Sequence, residues 1–292
     1  MKQTITAIIP VRNEEKNIRR CLESIKWCDK VMVMWMGKDK TGEIAKKMGV
    51  EVVEMNKSDK DDFMAVQKNI NWAIDNCKTD WVLRIDADEV VTEELKKEIL
   101  KILTTDSVSC FPPANAPPAK RGLRVVGTPT TTATCCYDKC VVAYGIPRAQ
   151  YFWGGFLKGG DWAYDRLVRL FRPKHGRYDP IVPVHEQFRV DGKIGYLKNK
   201  LLHYSHPTLE EAIKKFDSYT TIQVAQFDES VPQAILKMIF LPPYIFLRWM
   251  IWHLGIRDGL RGIVAGAMRS WYEFILYAKY LEKKRRQNNS LV

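Results

Sequence analysis

No Gly-x-Gly-x-x-Gly follows the first apolar strand of this chain, which excludes the dinucleotide fingerprint and the dehydrogenase chemistry that goes with it. The seven cysteines, at 21, 28, 77, 110, 135, 136 and 140, show no disulfide-framework spacing. Cys135, Cys136 and Cys140 cluster, but no second Cys or His pair stands near them, so a zinc site is not expected. Met1-Lys2-Gln3-Thr4 lacks the apolar run of a signal peptide. A reducing, cytoplasmic setting is the expectation. An uninterrupted apolar span of about 20 residues is also missing, so no transmembrane helix is expected. The most apolar stretch, 234–254, is broken by Lys237, Pro242-Pro243 and Arg248.

What is there is a basic, globular chain of 292 residues, 46% hydrophobic and 27% charged, with a net charge of +12. Such a balance suggests an anionic partner. The excess is uneven: residues 231–292 hold ten Lys/Arg against three Asp/Glu. It lies among apolar residues and belongs to no reader motif, so a nucleic-acid partner is not expected.

Apolar runs at Thr4–Ile9, Val31–Trp35, Val50–Glu54 and Trp81–Ile85 read as strands. Helical spacing fills the gaps: Ile18, Cys21, Leu22 and Ile25 after an N-cap at Asn13; a short helix from Thr41 to Lys47, ended by Gly49; and about Asp61 to Cys77. Strand–helix repeated three times before a fourth strand predicts a parallel, doubly wound α/β sheet. The fourth strand ends in Asp86-Ala87-Asp88-Glu89, with Thr92-Glu93-Glu94 opening a helix. Carboxylates at that end point into the crevice where open α/β sheets bind ligands. Asp86 and Asp88, two apart, are suited to a hard divalent cation shared with phosphate oxygens. The competing reading is an acidic helix N-terminus that favours the dipole.

The order of these parts resembles the inverting glycosyltransferases of family 2. The residues are Pro10-Val11-Arg12-Asn13-Glu14 after strand one, Gln67-Lys68-Asn69 on the third helix, and Ile85-Asp86-Ala87-Asp88-Glu89. Downstream, Gly145-Ile146-Pro147-Arg148, Tyr151-Phe152-Trp153-Gly154, Gly159-Gly160-Asp161-Trp162, Arg169-Leu170-Phe171-Arg172, Val184-His185-Glu186 and His203-Tyr204-Ser205 resemble one branch. Its members add sugars to the lipopolysaccharide inner core or related envelope glycans.

The resemblance implies a Rossmann-like, GT-A type fold with a mixed, mainly parallel sheet and C-terminal amphipathic helices. The expected division is a catalytic domain over 1–230 and a basic helical region over 231–292. Within the first, 1–103 would bind nucleotide sugar, 104–142 is an atypical loop or insertion, and 143–230 would bind acceptor.

The resemblance implies that Pro10, Arg12, Asn13, Glu14, Lys68 and Asp86 bind the nucleotide sugar, and that Asp86 and Asp88 hold Mg²⁺ or Mn²⁺. His203 is either a further ligand or structural. Glu186 stands where members carry the catalytic base, with Asp165 and Asp161 behind it; a surface salt bridge is the other reading for Glu186. Arg166, Arg169, Arg172 and Lys174 would hold diphosphate or an anionic acceptor, or form a solvated basic face. Expected partners are a nucleotide sugar donor, a lipid-linked or core glycan acceptor and an anionic membrane surface. The protein would lie peripherally on the inner face of the cell membrane, unless the C-terminal helices pack on the catalytic domain or on a second subunit instead.

Two departures stand out. An ungapped alignment puts Met34 where the family carries the Asp that binds the nucleotide base. Met34-Trp35-Met36-Gly37 is encoded by ATG TGG ATG GGN, which read from its third base gives Val-Asp-Gly. A frameshift and a real divergence are both open, and the second implies a catalytically impaired relative. The Pro-, Thr- and Cys-rich stretch 104–140 is the other departure.

Overall fold

The computed structural model describes residues 2–55, 63–104, 141–179 and 188–289. The stretch 105–140 and Glu186 therefore lie outside the described residues. By contacts the chain divides into two compact units: Met1–Arg148 with Arg166–Leu202, and Ala149–Asp165 with His203–Val292.

The first unit opens β1 (Ile5–Val11), α1 (Ile18–Ser24), β2 (Lys30–Trp35), α2 (Thr41–Lys47), β3 (Glu51–Glu54), α3 (Phe63–Asp75) and β4 (Trp81–Arg84). The four strands are parallel, in the order β3-β2-β1-β4. All seven residues of β1 are buried, as a central strand covered on both faces requires. Alternation decides which face each side chain joins. Ile5, Ala7, Ile9 and Val11 pack with Ile18, Cys21 and Leu22 of α1, while Ile8 packs with Ile70, Ala73 and Ile74 of α3. Helices on both faces make the sheet doubly wound.

β1 runs two residues past its expected end, through Pro10. A parallel strand directs one residue's N–H and C=O to the same neighbour. Ile8 O accepts Ile85 N–H at 3.1 Å, so Pro10 also faces the β4 side, but beyond the last paired residue, Arg84. No ladder donor is lost there, which is where proline is tolerated. Asn13 is not a helix cap. Its backbone is left-handed (φ 51°) and its side-chain oxygen accepts the Lys38 N–H at 3.0 Å.

After β4 the chain turns into β5 (Glu89–Val91) and α4 (Glu93–Thr104), where Thr92 Oγ1 accepts the Leu95 N–H as a cap. The remaining elements are β6 (Val141–Phe152), β7 (Gly155–Phe156), β8 (Arg166–Phe171), β9 (Gly176–Tyr178), β10 (Phe188–Val190), β11 (Lys193–Tyr196) and β12 (Leu201–His206). Strand β8 pairs antiparallel with both β4 and β6. The full order is β3-β2-β1-β4-β8-β6-β12-β5, with β7 and β11 also on β6 and a separate β9–β10 pair. The sheet is mixed and mainly parallel at its N-terminal half, as expected.

The second unit is carried by α5 (Leu209–Ala225), α6 (Val231–Leu247) and α7 (Leu260–Asn289). Its makeup differs from the expected line at Ser230. The C-terminal helices share a unit with 149–165 and with α5. Asp161 is bound by Arg248 and His253, and Asp258 accepts the N–H groups of Lys158 and Gly159. Trp249 is fully buried against Trp162 at 5.0 Å between ring centroids. Its ring lies so close to Gly160 and Gly255 that a Cβ at either would approach within 2.2–2.4 Å.

Candidate active site

The carboxyl ends of β1, β2 and β4 bring three loops to one rim of the first unit. Register sets the alignment. Pro10 pairs with Met34, and Ile8 with Arg84, so Asp86 comes level with Pro10. The loop after β1 is tied to the loop after β2 by Lys38 N–H to Asn13 Oδ1, Glu14 N–H to Thr41 Oγ1 at 2.9 Å and Glu15 N–H to Asp39 Oδ2 at 3.1 Å. Asn69 of α3 reaches the same loop, donating to Met36 Sδ at 3.2 Å, while Lys68 beside it is exposed. Arg12 is half-buried on this rim.

The Asp86-Ala87-Asp88-Glu89 segment is a closed turn. Glu89 N–H donates to Asp86 O at 3.0 Å, and Asp86 N–H returns a bond to Glu89 Oε2 at 2.9 Å. Glu89 does not face the crevice. It is fully buried, with Arg148 Nη1 at 3.1 Å and Arg169 Nη2 at 3.5 Å from its Oε1. Arg169 also holds Asp86 Oδ2 at 2.5 Å, and Arg84 holds Asp86 Oδ1 at 3.1 Å. The antiparallel pair Leu83↔Leu170 explains the convergence, because it sets Arg84 across from Arg169. Burial pushes the Glu89 carboxyl up to about 8. Asp86 and Asp88 push the same way, and Arg148 pulls it back. Behind the turn, the buried Cys21 thiol donates to Asp86 O at 3.4 Å, and burial raises its pKa well above the usual thiol value.

Two buried guanidiniums, Arg84 and Arg169, and the partly buried Arg148 thus brace two carboxylates from inside. Sequence reading had assigned no role to Glu89, Arg84 or Arg148. The acidic residue three positions after Asp86, the spacing of a capping box, was the available signal for Glu89. Nothing local announces Arg148 and Arg169, which arrive from other strands, whereas Arg84 stands on β4 itself, two residues before Asp86. Of the four downstream basic residues, Arg169 alone joins this turn. Arg172 lies at the opposite strand end, over the Trp81 ring at 4.6 Å. Arg166 covers the Tyr196 ring at 5.0 Å, and Lys174 is exposed.

Met34 and Trp35 are core residues. Met34 packs with Ile8 and Ile70, and Trp35 lies on the other face against Ala45. The Trp35 ring fits because residue 42 is glycine; a Cβ there would meet it at 2.4 Å. Trp35 therefore adds its bulk inside the fold.

The second unit holds two further sequence-predicted residues. Asp165 Oδ2 accepts Gln150 Nε2 at 2.7 Å, and Ser205 Oγ donates to Gln150 Oε1 at 3.1 Å. His203 is half-buried on β12, next to Tyr204, whose ring lies tilted against Tyr151 at 5.1 Å between centroids.

For a divalent cation the test is the donor set. Among the described residues no group of three His, Cys, Asp or Glu stands close enough to hold an ion by itself. Asp86 and Asp88 supply hard oxygens. Mg²⁺-type sites use one or two carboxylates and complete the shell with substrate phosphates and water. The residues fit a cation that arrives with a diphosphate.

Acidic oxygens at the carboxyl ends of a doubly wound sheet, with no glycine fingerprint, mark the rim where such a sheet binds a ligand other than a dinucleotide. The family model described as glycosyl transferase family 2 matches residues 6–118. An uncharacterized glycosyltransferase of Rickettsia prowazekii (strain Madrid E) is 36% identical over 233 residues, covering 76% of this chain and 67% of that protein. The lipopolysaccharide core biosynthesis glycosyltransferase LpsC of Rhizobium meliloti (strain 1021) is 24% identical over 97% of this chain and 93% of its own length. Among solved structures, the mannosyltransferase PcManGT of Pyrobaculum calidifontis, in complex with GDP-Man and Mn²⁺, is 10% identical. It covers 97% of this chain and 88% of its own, with a TM-score of 0.49. The chain belongs to glycosyltransferase family 2 and is a glycosyltransferase.

Proposed function

We propose that the protein transfers a hexose, with inversion, from a nucleotide diphosphate sugar to a lipopolysaccharide-core or other cell-envelope glycan. The donor is a UDP-sugar, and the reaction takes place at the cytoplasmic face of an anionic membrane. The observation that carries this reading is the closed Asp86–Glu89 turn at the ends of β1 and β4, braced by Arg84, Arg148 and Arg169.

Asp88, assisted by Asp86, would hold Mg²⁺ or Mn²⁺, which neutralises the leaving diphosphate. Pro10, Arg12, Asn13, Glu14 and Lys68 border the nucleotide. His203 is proposed as a further metal ligand. The acceptor hydroxyl oxygen attacks the anomeric carbon, and the bond to the diphosphate breaks with its electron pair. The hydroxyl proton passes to a carboxylate, for which Glu186 is proposed and Asp165 is the substitute.

A second reading, a nucleotide-sugar-binding relative with impaired chemistry, is favoured by one observation: Met34 is fully buried where an Asp would accept from the base.

The test is a UDP-sugar panel with a core-glycan acceptor. Asp88→Asn should cost several kcal/mol of transition-state stabilisation, about a thousandfold in transfer. Glu186→Gln should spare donor binding and cut transfer about a hundredfold or more. Full activity of Asp88→Asn would remove the metal role. Donor binding without turnover in the unaltered chain would establish the second reading.

A further inference from the structure

The second unit turns an apolar surface outward. On α6, Leu236, Ile239, Phe240, Tyr244 and Leu247 are each more than half exposed. The opposite face of α6 packs Ala234 against Val224, Leu276, Tyr277 and Tyr280. After α6 comes a π-helical stretch, Arg248–Trp252, and a 3-10 turn, Gly255–Asp258. This corner exposes Trp252 (67%), Ile256 (65%) and Leu260 (65%), with the exposed Arg257 set among them.

Soluble monomers rarely leave a contiguous apolar patch beyond a few hundred Å² without a partner. The charge pattern selects the partner here, because the stretch 231–261 that forms this face carries Lys237, Arg248, Arg257 and Arg261 against Asp258 alone. Apolar side chains, interleaved tryptophan and tyrosine, and basic residues are the composition of a surface lying in the headgroup region of an anionic bilayer.

We propose that this face, α6 with the Trp252–Leu260 corner, docks on an anionic phospholipid bilayer and lies in its interface. The proposal rests on the reading of a membrane-borne acceptor and adds the surface that meets the lipid. Val231–Trp252, 22 residues, is long and apolar enough to cross a membrane by length and composition. Two features favour lying flat. One side of α6 is packed against α7 and the end of α5, and Arg248 near its end is held by Asp161. Pro242 and Pro243 inside the helix also deprive the carbonyls four residues back of their N–H donors, and a span in hydrocarbon would need those carbonyls satisfied.

The experiment is flotation of the full chain with phosphatidylcholine vesicles, with and without phosphatidylglycerol, across a salt series. Binding is expected with phosphatidylglycerol and lost at high salt. Trp252→Glu, Ile256→Glu and Leu260→Glu should each weaken partitioning about tenfold or more. Arg257→Glu should weaken binding to anionic vesicles about tenfold while leaving the apolar contacts in place. Transfer to a delipidated glycan is measured on the same proteins. Lost flotation with retained transfer supports the surface, whereas lost transfer with retained flotation strikes only at the catalytic reading. Unchanged flotation of these variants overturns the proposal. So does a lipid-free dimer that Ile256→Glu dissociates, or resistance of the bound protein to alkaline extraction, which would mark a spanning α6.

Discussion

The two units distribute polarity in opposite ways. In the first, charge is inside: Arg84, Glu89 and Arg169 are buried beneath a rim of loops, and the apolar side chains of β1 and β4 are wholly enclosed. In the second, large apolar side chains stand outside, and the polar Asp161, Arg248 and His253 knit elements together. Buried ion pairs seldom add stability over an apolar replacement. Their value in the first unit is to hold the Asp86 carboxylate and the turn behind it in one place, and preorganised charge serves transfer chemistry. The proposed bilayer contact would account for the outward apolar face of the second unit.

The largest expected effect that probes this contrast is at Arg169. Arg169→Met leaves Asp86 and Glu89 short of a buried partner and should cost about 3–5 kcal/mol. Thermal and urea unfolding would measure it. A loss under about 1 kcal/mol would mean that water reaches the cluster and the charge is not truly inside.

Next, Leu83→Ala against Leu236→Ala compares a leucine enclosed on β4 with one 59% exposed on α6. The first should lose about 2–5 kcal/mol. The second should stay within about 0.5 kcal/mol in lipid-free buffer. Equal losses in urea melts would show that α6 is covered in solution.

Met34→Asp is smaller in binding terms and opposite in sign. A restored hydrogen bond from the base to a charged group is worth roughly 1.5–3 kcal/mol, about ten- to a hundredfold in UDP-sugar affinity. A lower melting temperature should accompany it, since the position is enclosed by apolar neighbours. A donor titration with no gain would count against the alignment of Met34 with the family's Asp.

The smallest effect sits at the entry to β1. Thr4 donates its N–H and its hydroxyl to Asp80 Oδ2 at 2.7 and 2.9 Å. The backbone N–H of Thr4 holds the exposed Asp80 carboxyl below its ordinary value. A depressed carboxyl contributes stability that is present above its unfolded pKa and lost as pH falls through its folded one. Asp80→Asn should cost about 1 kcal/mol or less at neutral pH and flatten the acid limb of the stability curve. An unchanged acid limb would place the acid sensitivity elsewhere.

The parallel half of the sheet was legible because its signals are local. Alternation along β1, the 3.6-residue spacing of Ile18, Cys21, Leu22 and Ile25, and Gly49 at φ 75° all act within a few residues. Asp86 and Asp88 were legible as a strand end. The inward turn of Glu89 was not, since it depends on Arg148 and Arg169, which lie about 60 and 80 residues on. The division at Ser230 followed composition. The contacts of Asp161, Trp162 and Asp258 followed tertiary packing that composition does not encode.

The position of β8 has a consequence for how the chain is made. β4 finds its second neighbour only in Arg166–Phe171, about 80 residues after its own end. At roughly 5–20 residues per second on the ribosome, β4 waits about 4–16 seconds as an open edge. Throughout that interval Val82 and Arg84, whose backbone groups face away from β1, present unpaired N–H and C=O groups that any passing strand can match. The yield of folded protein is therefore set by a race between elongation and misassembly at one four-residue strand. Cooler expression slows the misassembly arm, and so does a lower concentration of nascent chains.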